Sequence, residues 1–307
     1  MSRIASGSQV IIFLILLIIC PRWTAATAQD ADAWLSSLTK GIPKRSRHAL
    51  TGSQFVALAA TMNEQQREQF ILEQLLRGNL PDFLRKLKPV ELQYRFDDGK
   101  RVNATIFVTP DYLAIGSRSD FIRIPMNYHT ASMVAVHFGF ILPTRKMVDA
   151  IYDQSAYHFT PQPMKPGPQM RSTRYYQQHN RKIAQQRVSH LIPLGELVAG
   201  HKKDVVITRR LTRMPGRIAI YGWHRPDGIP IQPLSTVHGA GYADYSHGIR
   251  LVSDVVLIEG KIRSVYAVLQ DPKLAYVLSD EGPMSQLPKI MGTPANETSL
   301  HLVSARR

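Results

Sequence analysis

The stretch from Trp223 to Arg250 holds the densest set of groups in the chain able to move protons, attack carbonyls or bind a metal. It carries His224, His238 and His247, together with Asp244, Tyr242, Tyr245, Ser235, Ser246 and Arg250. Imidazole titrates near neutral pH and is the commonest protein metal ligand. Of the eleven histidines, His179, His190, His201, His224, His238 and His247 crowd into this part of the sequence.

Three chemistries can be built from these residues. The first is metal-assisted hydrolysis. His238, Asp244 and His247 supply imidazole, carboxylate and imidazole, a trio that would hold zinc and leave a coordination position for water. Gly239, Gly241 and Gly248 give the backbone freedom to fold such ligands inward, and His224, His201 or Tyr242 could assist as acid or base. The pattern Ser235-x-x-His238-x-x-Gly241-x-Ala243-Asp244 partially resembles the Ser-x-His-x-x-Gly-x-Ala-x-Asp signature of zinc D-alanyl-D-alanine carboxypeptidases and related wall peptidases. That resemblance implies His238 and Asp244 as zinc ligands and cell-wall peptide as substrate. The serine–histidine gap is one residue longer than in that family, and the histidine–aspartate gap one shorter. Trp223-His224 lies upstream of the aspartate, where the family has its last histidine downstream.

The second chemistry is a serine nucleophile, Ser235 or Ser246, activated by His238 or His247 with Asp244 orienting the base. Ser246 sits in Asp-Tyr-Ser-His-Gly, which lacks the small flanking residues of a nucleophile elbow. The third is metal-free acid–base work. Tyr242, Tyr245, His238, His247 and Arg250 are similar in kind to the set used by enzymes that cleave acidic glycans, where a cation neutralises the substrate carboxylate while histidine or tyrosine moves the proton.

Upstream, His201-Lys202-Lys203-Asp204 joins Arg209, Arg210, Arg213 and Arg217 in a basic run. Lys202 and Lys203, with Arg250 and Tyr245, are the candidate substrate-binding residues for an anionic polymer. The plainer reading of the run is a solvated surface.

These groups need elements to position them. Thr51-x-x-Gln54 and Thr61-x-x-Glu64 have the spacing of capping boxes, so each should open a helix. From Val90 the apolar period drops to two. Val90–Phe96 and Val102–Val108 therefore read as a hairpin turned at Asp98-Gly99. Strands are also expected at 112–115 and 121–124, and helices at 129–138 and 144–155. Residues 158–172 carry four prolines and read as a linker or a rigid surface loop. Residues 173–189 are helical, with Tyr176, Ile183 and Val188 as a thin apolar stripe. Strands follow at 205–208, 217–223, 249–252 and 255–258, then a short helix at 274–278. The expected fold class is α+β: N-terminal helices with a small antiparallel sheet, then a mixed strand-rich C-terminal half. The expected division is an N-terminal unit over 29–157 and a C-terminal unit over 173–307 that carries the site.

Composition bounds the function classes. Arg3, the apolar run Val10–Ile19 and Ala26-Thr27-Ala28 form a secretory signal pattern over 1–28. The run is too short for a comfortable membrane span, so no stable span is expected after cleavage. Cys20 is the only cysteine and lies in that segment, so neither disulfides nor thiolate sites are expected in the mature chain. The formal charge of +15 suits an anionic polymer or cell-wall substrate. No Walker loop or Gly-x-Gly-x-x-Gly is present, so no nucleotide cofactor is expected, and no nucleic-acid-binding signature accompanies the charge. The sequence thus predicts a secreted or periplasmic hydrolase of an envelope or extracellular polymer, with zinc as its candidate cofactor. Its rivals are a non-enzymatic module that binds anionic glycans or wall polymers, and a metal-free glycan-cleaving enzyme. The oligomeric state is not legible.

Overall fold

The structure, a computed structural model, describes residues 28–291. The expected leader up to Thr27, with Cys20, lies outside the described residues. Among those described, no helix is long and apolar enough to cross a membrane.

The architecture is α+β, with helices leading and strands dominating the second half. The helix Gly52–Ala59 is opened by the expected box: Thr51 accepts from the Gln54 N–H, and the Gln54 side chain reaches back to the Thr51 N–H. The next helix, Glu64–Leu76, departs from expectation. Its cap is Asn63, boxed with Gln66, and not Thr61 with Glu64. Thr61 instead donates its hydroxyl to the Leu58 carbonyl, in the turn that ends the preceding helix.

The hairpin appears as β1 (Lys88–Arg95) and β2 (Arg101–Val108), paired antiparallel around a turn in which Gly99 takes φ 82°. A left-handed φ of this kind favours glycine. β3 (Ala114–Gly116) and β4 (Phe121–Arg123) form a second small hairpin. β5 (Phe140–Ile141) follows the helix Tyr128–Phe138, and β6 (Tyr157–His158) runs parallel to β7 (Val198–Ala199). A four-stranded sheet has the order β10–β9–β8–β11, built from β8 (Lys203–Val206), β9 (Ala219–His224), β10 (Pro230–Ser235) and β11 (His247–Gly248). β10 carries two prolines and was not anticipated; it is tolerated because it lies at the sheet edge. β12 (Val252–Ile258) joins the first sheet between β2 and β13 (Lys261–Ser264), and its first residues also pair with β5.

The β2–β12 pairing bears on the expected boundary. Strands from either side of 158–172 share one sheet, and one hydrophobic cluster runs from Phe55 and Ile106 to Val256 and Leu269. The proline-rich segment does not separate two cores. It packs on the second half: the Met164 N–H donates to the Tyr245 hydroxyl at 2.7 Å, and the Tyr245 N–H donates to the Met170 carbonyl at 3.0 Å.

The helix Thr173–Ser189 forms as its pattern predicts, but its buried stripe is different. Tyr176 and Ile183 are buried, whereas Val188 is 73% exposed. The positions that complete the buried face are His179 and Arg187. Both keep the three- and four-residue spacing of one helix face.

Candidate functional site

β11 pairs in parallel with β8, which sets His247 beside Lys203 and Gly248 beside Asp204. Gly248 is required there by close approach. A Cβ at this position would fall 2.6 Å from the Tyr112 ring and 2.7 Å from the Lys202 Cβ. The turn leading into β11 is shaped by Asp244. One carboxylate oxygen accepts from the Ser246 N–H (2.7 Å) and hydroxyl (2.6 Å), and the other from the Tyr242 hydroxyl (3.0 Å). An aspartate bonding its own backbone two residues on is a common way to fix such a turn.

This turn buries His247 completely, at 0% exposure, with Nε2 4.0 Å from Oδ2 of Asp244. That distance is too long for a hydrogen bond, and neither ring nitrogen has a protein partner. Burial, partly opposed by Asp244, lowers the His247 pKa to about 4, so the ring is neutral at neutral pH. Burial pushes the Asp244 carboxyl upward, but His247, the Ser246 bonds and Lys203 outweigh it and leave the group below its ordinary value. Toward solvent, the His238 ring stacks on Tyr242 with centroids 4.0 Å apart. The Arg171 guanidinium lies 5.2 Å over the Tyr242 ring and is also paired with Glu64. His238, Tyr242 and Lys203 are all half-exposed and form the accessible edge of the group.

Behind that edge lies a second layer. Lys202 is buried and donates to the Tyr245 carbonyl at 2.5 Å. Desolvation lowers its pKa to about 7. The His179 ring meets Tyr245 (4.9 Å) and Trp223 (6.1 Å) edge-on, and the Lys203 ammonium stands 5.4 Å over the Trp223 ring. Trp223 has φ 57°, next to Gly222 at φ 97°. A bulky residue held in the left-handed region costs on the order of 1–3 kcal/mol, and such strain gathers at functional sites.

A separate buried network adjoins β8. Asp111 accepts from Arg123, Arg187 and the Tyr112 N–H, and meets Nε2 of His201 at 2.9 Å. Tyr112 donates to Asp204 at 2.8 Å, and Arg250 lies 4.5 Å over the Tyr112 ring.

The structure therefore divides the residues picked from the sequence. It brings His238, Tyr242, Asp244, His247 and Lys203 together, with Lys202 and Tyr245 directly behind. It places His201 in the Asp111 network. Arg250 is fully buried and donates at 2.7 Å to both the Thr109 and Val198 carbonyls, so it braces backbone and does not face a polymer. His224 turns away to Asp149 (3.1 Å) and stacks on Tyr152. Both Asp244 oxygens accept hydrogen bonds, and the His238 ring is stacked on Tyr242. Among the described residues no group of three or more His, Cys, Asp and Glu is arranged to hold a metal ion. Arg171 and Asp111 were not picked from the sequence, whereas His179 and Trp223 stood in its histidine-rich part but were given no role.

No protein-family model matches the chain, and no curated protein and no solved structure shows significant similarity to it.

Proposed function

We propose that the protein is an exported acid–base enzyme that cleaves an anionic extracellular or envelope polymer without a metal. The observation that carries this reading is His247. It is fully buried, neutral at neutral pH, unengaged at both ring nitrogens, and set against a charged Asp244. A buried imidazole with an adjacent carboxylate is suited to accept a proton in a transition state, because the carboxylate stabilises the imidazolium as it forms. Tyr242 donates to that same carboxylate and reaches the half-exposed edge, which suits it to return a proton to a leaving group. Lys203 and Arg171 supply positive charge at the edge for an anionic chain. The formal charge of +15 and the signal pattern at the N-terminus support an anionic partner outside the cytoplasm.

The test is a panel of anionic polymers, namely polygalacturonate, alginate, hyaluronan and peptidoglycan, each with and without chelator. Cleavage of one of them that survives chelator and falls about a thousandfold in His247→Ala supports the reading, since general acid–base catalysis contributes on the order of a hundred- to ten-thousandfold. Activity abolished by chelator and restored by zinc would overturn the metal-free assignment in favour of a wall peptidase. Polymer binding without turnover would favour a non-enzymatic module.

A further inference from the structure

A cavity of about 220 Å3 lies apart from the candidate site, and neither Asp244 nor His247 lines it. Four segments build it: the helix Tyr128–Phe138, the stretch from Leu211 to Arg217, Ala240, and the short helix Leu287–Met291. Hydrogen bonds tie these segments together. The Tyr128 N–H donates to the Ala240 carbonyl at 2.9 Å, and the Ala240 N–H to the Gly216 carbonyl at 2.7 Å. The Tyr128 hydroxyl donates to the Ile290 carbonyl at 2.6 Å. The cavity is therefore preformed. Met133 and Met214, 49% and 39% exposed, line it where it opens to solvent.

Most of its wall is apolar. Leu211, Ile290 and the methionines Met133, Met214 and Met291 contribute to it. Methionine is flexible and polarisable, so such a wall adapts to an irregular apolar body. An apolar wall with a few polar groups is the usual form of a small-molecule site. Here the polar groups have one sign. Arg217, Lys289 and His129 line the cavity, and no acidic side chain does. Among the described residues Arg217 and Lys289 take part in no ion pair. Ser132 is a separate sign of a missing partner. It lines the cavity, is 3% exposed, and its hydroxyl makes no hydrogen bond of ordinary geometry. The neighbouring Tyr128 hydroxyl already gives its proton to Ile290. Buried polar groups are almost always hydrogen-bonded, so this one calls for an explanation.

We propose that this cavity binds a medium-chain carboxylate, an acyl body with a single anionic head. The proposal does not depend on the acid–base reading of the candidate site. Size sets the body. A dry cavity of about 150 Å3 admits benzene, so this one, about half as large again, admits roughly eight carbons. Charge sets the head. An anion meets the unpaired cations of the lining, and a carboxylate oxygen can accept from the Ser132 hydroxyl in a charge-assisted bond. A phosphate fits less well, because its three oxygens would need more buried donors than Ser132 supplies.

The experiment is calorimetric titration of the full chain with octanoate, octanol, acetate and octyl phosphate. Saturable binding of octanoate is expected, with octanol roughly tenfold weaker or worse and acetate showing none. Ser132→Ala should weaken octanoate about tenfold, the loss expected for a hydrogen bond to a charged group. Met133→Asp should weaken it at least as much, by placing a negative charge on the wall. Met133 is exposed, so that variant keeps the test available if Ser132→Ala fails to fold. No saturable binding of octanoate overturns the proposal, as does octanol binding equally well. Tighter binding of octyl phosphate overturns it in favour of a phosphate headgroup. Octanoate binding that neither variant weakens places the ligand elsewhere and overturns it too.

Discussion

Asp111 and Arg123 meet through three hydrogen bonds, the shortest 2.6 Å, with both side chains 2% exposed. Arg187 and His201 share the same carboxylate, so removing it strands two guanidiniums in the interior. Asp111→Asn should therefore destabilise the fold by about 3–5 kcal/mol, the usual cost of breaking a buried pair from one side. The exposed Arg145–Asp280 pair is the control. Asp280→Asn should cost no more than about 1 kcal/mol. Urea unfolding of the two variants measures the contrast, and similar costs would count against the network as a structural keystone.

Stability should depend on acid in a way that one substitution exposes. His201 and His247 have folded pKa values lowered to about 4, so the unfolded chain binds more protons between about 6.5 and 4. Their contribution is present above that window and is lost as pH falls through it. Asp204 and Asp254 are raised to about 6 by burial and act in the opposite sense, adding stability as pH falls from about 6 to 4. Asp254→Asn removes one of these offsets. Its unfolding free energy should fall more steeply than that of the unaltered protein between pH 6 and 4. Equal slopes would show that Asp254 does not titrate as its burial implies.

Lys202 should mark the alkaline side. Its folded pKa of about 7 lies well below that of a free lysine, so the unfolded chain binds more protons between about 7 and 10. Stability from this group therefore rises with pH across that window. Lys202→Met should flatten the rise in a series of urea melts from pH 7 to 9.5. A slope unchanged in the variant would place the pH dependence elsewhere.

The helix caps offer a sharp comparison. Asn63→Ala should cost about 1 kcal/mol, since it removes the acceptor for the Gln66 N–H. Thr61→Ala should change stability by only a few tenths, because Thr61 lies outside the helix it was expected to cap. A larger loss at Thr61 than at Asn63 in thermal melts would reverse the assignment.

These caps also show what local sequence conveys. Thr51-x-x-Gln54 and the alternation from Val90 to Val108 were legible because each depends on neighbours a few residues apart. Thr61 and Asn63 both offered a cap at plausible spacing, and the choice was made by where the preceding turn ended. The site was legible as a neighbourhood: Tyr242, Asp244 and His247 lie within one turn and found each other through local bonds. Asp111 was not legible, because its importance comes from Arg123, Arg187 and His201, each carried in by a different element. His179 was counted among the crowded histidines, but its burial was hidden by its type. A histidine on a helix face otherwise marked by Tyr176 and Ile183 reads as a polar interruption until the face is seen to be buried.

The position of β12 has a consequence for how the chain is made. Its neighbours β2 and β5 lie more than a hundred residues upstream, and its partner β13 follows it. Until residues near 258 have emerged, β2 has one paired edge and one open one. Contacts of such sequence separation form slowly, and an open apolar strand edge invites other chains. Most of the chain must therefore be available before its central sheet can close. The long wait would favour partners that hold it open, and shortened chains that stop before Val252 should aggregate in preference to folding.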